Sequence, residues 1–483
     1  LLDSAHNNGI KIILDITPNH VADKHPWVED IRVFGKYSNY YNYIERRKLG
    51  DDRGLGQSLN SDNIYMRYSN WTLANLNLEN QETVNYMINM FNWWLNNIGA
   101  DGFRFDVYWG PQNRYGKEAF WRPVREKLKN KKPDIFLLGE TDGTGTGSEI
   151  NYADNGGACD AAYDWLWYST VKSIFSNRNS DNLHNRVTNY GFSPGDNSYF
   201  FRFLENHDED RCATFFNNDQ NKTALALLMT IPGIPMIYMG QEVGWKGKRN
   251  LISFSTSDAE ILFPFYKRMI LARSKYPALR SRTINRIETN DKEIYSYTRK
   301  YKDQNFIVII NLSNSNKNLN IKINEKNDLD LSIPLSNEKI YYLNDFANDT
   351  SYQIRKSNLE NITFSLKPYE SKVMLLSEEK IKIITSISKP DFGNVPSNFS
   401  ISQNYPNPFN PSTCIEYTLP EPSNVKLVIY DILGKEVAVL VDEHQGKGKY
   451  RINFNATNLS SGVYLYRFST SKFAQTKKMV LAK

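Results

Sequence analysis

Four short apolar runs in the first half of the chain each lead straight into acids or histidines. KIILDI (11–16) continues into TPNH, GFRF (102–105) into Asp106, IFLLG (135–139) into Glu140, and SYFFRFL (198–204) into ENHDEDR. Short apolar runs next to glycine read as strands buried on both faces, as in a parallel sheet. Helical spacing lies between them. Val84, Met87, Ile88, Phe91, Leu95 and Ile98 fall on one helix face, after Asn80 as the start and before Gly99 as the C-terminal cap. Strands and helices that alternate in this way, with polar residues gathered at the strand C-termini, point to a (β/α)-barrel, whose chemistry sits at that end.

Within GADGFRFDV (99–107), Arg104 and Asp106 are alternate residues of a strand and share a face. Alone, such a pair reads equally well as an ordinary buried ion pair. Partners at other strand ends decide the matter, and three acids qualify: Asp106, Glu140 and Asp208. Glycoside hydrolysis needs carboxylates in pairs, one to attack or stabilise the anomeric carbon and one to protonate the leaving oxygen. His20, His207 and Arg104 belong to the same strand ends, suited to sugar hydroxyls and to fixing charge.

The pattern yields about six barrel strands between Lys11 and Glu242, where a closed barrel has about eight. The chain opens with LLDSAHNNGIKIILDI, a helix end running into a strand. The expectation is that two strands and a signal peptide precede Leu1, and that the 483-residue chain by itself is poorly soluble or inactive. The fold class expected is multidomain α/β: a (β/α)8 TIM barrel lacking its first two strands, with a small inserted domain, then an antiparallel β-domain, then a β-sandwich. The boundaries are barrel at 1–20, insertion at 21–76, barrel at 77–283, β-domain at 284–378, linker at 379–397 and sandwich at 398–483. The insertion is too long and polar for a simple βα loop. Period-2 runs such as Glu293 to Thr298 and Phe306 to Asn311 mark the β-domain.

Other classes are disfavoured. The net charge of +6 is small for this length, and its scattered Lys and Arg form no basic block for nucleic acid. No apolar run reaches the ~18 residues of a transmembrane helix. Cys159, Cys212 and Cys414 are too far apart for a metal cluster or a disulfide framework.

The motifs together resemble glycoside hydrolase family 13, the α-amylase family. DITPNH (15–20), GFRFD (102–106), GETDG (139–143) and ENHDEDR (205–211) resemble its four signatures, and LANLN (73–77) is similar to a further one. The resemblance covers 1–377. It implies Asp106 as nucleophile, Glu140 as general acid/base and Asp208 as the third carboxylate, which distorts the reacting sugar. It further implies that Arg104 keeps Asp106 ionised, that His20 and His207 bind hydroxyls, and that Asp15 supports the network. Arg211 and Trp109 are taken as substrate-binding, Trp109 by stacking. Tyr108, Trp109 and Gly110 replace the family's usual leaving-group residues. The implied reaction retains configuration through a covalent glycosyl-enzyme, with the two carboxyls ~5 Å apart. It needs no cofactor. In several relatives the Asn matching Asn19 binds Ca²⁺, which makes Asn19 a candidate ligand of a structural calcium. Asp51 and Asp52 are its candidate partners.

NYPNPFNPST (404–413), VIYDILGKEV (428–437), LSSGVYLYRF (459–468) and KKMVLAK (477–483) resemble the type A sorting domain of the type IX secretion system. That implies export to the surface or medium of a Bacteroidetes-type bacterium, with the secretion machinery as partner. The activity expected is on α-glucans such as starch and maltodextrin. The alternatives are an α-glucosidase or transglycosidase of the same family, or an inactive glycan-binding relative.

Overall fold

The computed structural model describes residues 2–46, 73–141, 157–188, 199–249, 256–382, 398–446 and 448–482, with isolated pieces at 58–59, 65–66, 252 and 254. The chain divides into two compact units, Leu1–Thr385 and Ser386–Lys483.

Unit one is built on six parallel strands: β1 (Ile13–Ile16), β2 (Gly102–Phe105), β3 (Phe136–Gly139), β4 (Ala161–Tyr163), β5 (Tyr199–Arg202) and β6 (Ile234–Pro235). They lie side by side in chain order. β1 pairs with β2 in register, so that Asp15 lies opposite Arg104, and Arg104 in turn lies opposite Leu138 of β3. β6 pairs over only two residues, much less than the GIPMIYMGQE run suggests, because Gly233 and the two prolines of IPGIP break its regularity.

The period-2 pattern of β2 sorts its side chains onto two layers. Phe103 and Phe105 face the helix layer, where Phe91 of helix Gln81–Trp93 meets them at ring-centroid distances of 5.2 and 5.7 Å. Arg104 therefore faces the other way, into the sheet's concave interior. Leu137 and Leu138 divide in the same manner. Leu137 packs with the Phe91 layer, and Leu138 packs with Tyr163, Phe203 and Phe136 inside. Helix Gln81–Trp93 starts at Asn80, whose side chain accepts the Glu82 N–H, and ends through a wide turn at Gly99 in the left-handed conformation.

Between β1 and β2 the chain forms helix Pro26–Phe34 and a four-stranded antiparallel sheet. Strands His20–Ala22 and Leu73–Asn75 join this lobe to the barrel, with His20 opposite Asn75. Asp51 and Asp52 lie outside the described residues, as do the last two residues of GETDG. After helix Ala259–Lys275 the chain continues into a six-stranded antiparallel sheet and a two-stranded one. Its strands Ile294–Tyr301 and Gln304–Asn311 share one apolar core with the helices Asn218–Thr230 and Ala259–Lys275. Most of the expected linker, 383–397, is outside the described residues.

Unit two has a three-stranded and a four-stranded antiparallel sheet around a core that includes Ile415, Tyr417, Leu427, Tyr466 and Phe468. Strand Ser412–Leu419 alternates buried and half-exposed residues along its length, as expected of a sandwich strand.

Candidate active site

Arg104 is the hub. Its guanidinium is almost wholly buried and touches carboxylates from three adjacent strands. Nη1 donates to Asp15 Oδ1 at 2.8 Å and to Asp106 Oδ1 at 2.6 Å. Nη2 lies 3.0 Å from Glu140 Oε1. The sheet enforces this convergence. Asp15 is held beside Arg104 by strand register, and the backbone of Asp106 and Glu140 continues the ladder through Asp106 N to Ile16 O and Glu140 N to Phe105 O. The ring of Tyr163, at the end of β4, packs 5.6 Å from the guanidinium carbon. Burial opposes the Arg104 charge. Tyr163, Glu140 and Asp15 more than offset this and raise its pKa, so it remains a fixed cation under any working condition.

Glu140 is poised differently. Its pKa is raised to about 7, first by burial and then by the charges of Asp106 and Asp208. Arg104 and the Val107 N–H, which donates to Glu140 Oε2 at 2.7 Å, pull in the opposite direction and lose. Val107 makes that bond from a left-handed backbone conformation, φ 50°. Such a conformation is strained for a β-branched residue, by about 1–3 kcal/mol, and is characteristic of functional sites. Nothing in the sequence marks Val107, since the bond uses only its main chain.

Asp208 lies in the loop after β5. Asn206 accepts the N–H groups of Asp208 and Glu209 in a tight turn. His207 Nε2 is 3.1 Å from Asp208 Oδ2, and both side chains are partly exposed. Arg249 also pairs with Asp208 and donates to the His207 carbonyl. Asn206 and Arg249 were not anticipated. Asn206 sits inside the ENHDEDR motif, where an Asn two residues before an acid is a turn signal, whereas Arg249 is a lone basic residue far along the chain. His20 is half-buried, and its Nδ1 lies 3.0 Å from Asn19 Nδ2, which fits the tautomer with Nδ1 as acceptor.

One sequence expectation is corrected. Arg211 is not positioned to bind substrate. It is 1% exposed, paired with the equally buried Glu205 at 2.7 Å, and it also donates to the carbonyls of Gly247 and Met239. Its face packs on Tyr238, 3.9 Å from the ring centroid. Arg211→Met should therefore cost about 3–5 kcal/mol of stability by stranding the Glu205 charge, with KM unchanged. Denaturant unfolding and substrate titration separate the two effects, and a raised KM at full stability would restore the binding role. Of the trio 108–110, Trp109 is the residue that keeps partial exposure. Tyr108 is fully buried, stacked on Trp121 with ring centroids 4.0 Å apart, and its hydroxyl accepts the Ala158 N–H. Gly110 faces Asn19: a β-carbon there would lie 2.3 Å from Asn19 Oδ1.

Asn19, the candidate calcium ligand, is engaged by a guanidinium. Its Oδ1 accepts from the Arg114 guanidinium at 2.8 Å, and Arg114 Nε is 2.9 Å from Glu45. The Arg114 cation thus lies between the Asn19 and Glu45 oxygens. No group of three His, Cys, Asp or Glu suited to a metal occurs among the described residues.

Comparison with known proteins bears on this arrangement directly. Residues 1–300 match the family described as "Alpha amylase, catalytic domain". The chain belongs to the α-amylase family. Residues 403–482 match the "Secretion system C-terminal sorting domain". Alpha-amylase 3 of Dictyoglomus thermophilum is 28% identical in an alignment 371 positions long that covers 65% of this chain and 70% of that protein. A cyclomaltodextrinase of Thermoanaerobacter pseudethanolicus is 26% identical, and there the match spans 65% of this chain but only 54% of the relative. In three dimensions the α-amylase from Geobacillus thermoleovorans superposes with a TM-score of 0.61 at 23% identity, over 78% of this chain and 80% of that one. A second solved structure, a cyclomaltodextrinase, gives a TM-score of 0.65 at 20% identity, over 78% of this chain and 62% of its own. The six-stranded parallel sheet is thus the barrel sheet of this family, and the C-terminal unit is a secretion sorting domain.

Proposed function

We propose that the protein is a secreted, retaining α-glycoside hydrolase that acts on α-glucans such as starch and maltodextrin. The observation that carries this reading is the single guanidinium of Arg104 reaching both Asp106 and Glu140, of which Glu140 has its pKa raised to about 7. Carboxyls bridged by one guanidinium are close enough for a nucleophile and an acid working on the same bond. In the first step an Asp106 oxygen attacks the anomeric carbon while the glycosidic C–O bond breaks and Glu140 gives its proton to the departing oxygen. In the second, Glu140 takes a proton from water, whose oxygen displaces Asp106 from the sugar. Asp208 and the histidines His20 and His207 hold hydroxyls of the reacting ring, and Asp15 steadies Arg104. Trp109, the part of the 108–110 segment that keeps exposure, stacks on a sugar of the leaving side.

The sorting domain delivers the enzyme through type IX secretion machinery, so its polymer substrate is met outside the cell. The names of the relatives, α-amylase and cyclomaltodextrinase, fit an α-glucan substrate. Product analysis on starch, pullulan and maltose, with the anomer followed by NMR, tests the proposal. Release of α-configured maltodextrins is expected. β-Configured first products would rule out the double displacement, and the absence of both hydrolysis and transfer would favour a glycan-binding role.

A further inference from the structure

We propose that the guanidinium of Arg114 takes the place of a divalent cation in fastening the inserted lobe to the barrel, so that this junction holds without calcium. Three segments meet there. Asn19 follows β1, Glu45 lies in the lobe, and Arg114 belongs to helix Trp109–Ala119, directly after the proposed nucleophile strand. All three are buried, and the Arg114 side chain has no solvent exposure. Arg114 donates to Asn19 Oδ1 at 2.8 Å and pairs with Glu45 Oε2 at 2.9 Å. The lobe's own backbone closes the arrangement, with Glu45 N–H donating to Asn75 O and Leu76 N–H to Asn19 O.

The local design favours a guanidinium over a metal. Gly110 and Arg114 are four apart and share a helix face. Gly110 lets the helix come close enough for its own missing β-carbon to be overlapped by Asn19 Oδ1, which brings Arg114 within reach of the same oxygen. The single negative charge of Glu45 is already balanced. A divalent ion added beside a guanidinium would be repelled strongly in this buried setting, and the neutral Asn19 and Asn75 amides offer no further charge to hold it. Asn75 is fully buried with neither amide atom hydrogen-bonded, and among the described residues the charge of this polar junction comes from the Glu45–Arg114 pair. The anchoring reaches the proposed active site, because Asn19 Nδ2 contacts His20 Nδ1.

The test uses the whole protein and reads thermal unfolding and calcium binding. In the wild type, Tm should be the same within about 1 °C in EDTA and in excess CaCl2, whereas Arg114→Ala should lower Tm by roughly 5 °C or more. Radioactive calcium binding should have the same stoichiometry in wild type and Asn19→Ala, whatever other sites exist. A wild-type Tm that falls in EDTA and returns with calcium but not magnesium would overturn the proposal. So would the loss of one bound calcium per chain in Asn19→Ala, or an Arg114→Ala variant as stable as the wild type. None of these readouts depends on the reaction assigned above.

Discussion

Asp106→Asn is expected to lower kcat by about four orders of magnitude or more while leaving the fold intact. The amide keeps the size of the carboxylate, and Arg104 retains two carboxylate partners in Asp15 and Glu140, so no buried cation is left unpaired. What disappears is the carboxylate nucleophile, together with one of the charges that raise the Glu140 pKa. The variant should therefore combine wild-type Tm with almost no turnover, and any residual activity should be lost at a lower pH, as pH rises, than in the wild type. Pre-steady-state kinetics on an activated substrate would detect the missing first step as a lost burst. Near-normal turnover would remove Asp106 from the nucleophile role and with it the reading of the whole strand-end cluster.

The second large effect concerns Glu140 and pH. A proton donor must be protonated when the reaction begins, and burial with two neighbouring acids raises the Glu140 pKa to about 7. Activity should fall as pH rises through about 7. Glu140→Gln should remove that limb and lower kcat by about 10²–10⁴-fold on natural glucans. On an α-glucosyl fluoride, whose leaving group needs no proton, the loss in the first step should be much smaller. Retention of the limb in Glu140→Gln would assign it to another group. The same group leaves a mark on stability. Its folded pKa lies above the ordinary value of 4.5, so the folded state binds this proton more tightly than the unfolded chain does. The associated stability is fully present below about pH 4.5 and is lost as pH rises through about 7. Chemical denaturation across this window, in wild type and Glu140→Gln, reads it directly.

The strands that carry this chemistry were legible because burial on both faces writes itself as an apolar run, and because polar residues at the run's end have few other reasons to cluster. The helix from Asn80 to Gly99 was legible for a similar reason: its period and both of its ends are encoded locally. Arg211 shows where the reasoning failed. Beside His207 and Asp208 in sequence it reads as part of the site, but the loop turns at Asn206 and sends Arg211 back to Glu205. A motif states proximity along the chain, not which side of a turn a residue lands on. Val107, Arg249 and Arg114 were invisible for other reasons. Val107 contributes a main-chain N–H, and Arg249 and Arg114 meet partners dozens of residues away, a distance that no local pattern records. Tyr108 stands beside Trp109 in sequence, and nothing local separates a buried ring from an exposed one. Only the packing of Trp121 against Tyr108 decides which it is.

The register between β1 and β2 has a consequence for engineering. Because Asp15 and Arg104 face each other through ladder hydrogen bonds, and Asp106 and Glu140 extend the same ladder by one residue, the charge cluster is a property of the sheet rather than of the loops above it. Loops grafted from other α-amylase family members at 21–76 or after Glu140 could recast which glucan is accepted while the reacting groups stay where the sheet puts them. The exception is the loop that carries Asp208, whose placement rests on the Asn206 turn and Arg249. It has to travel with its partner residue, just as a lobe grafted at 21–76 has to keep or replace the Glu45 partner of Arg114.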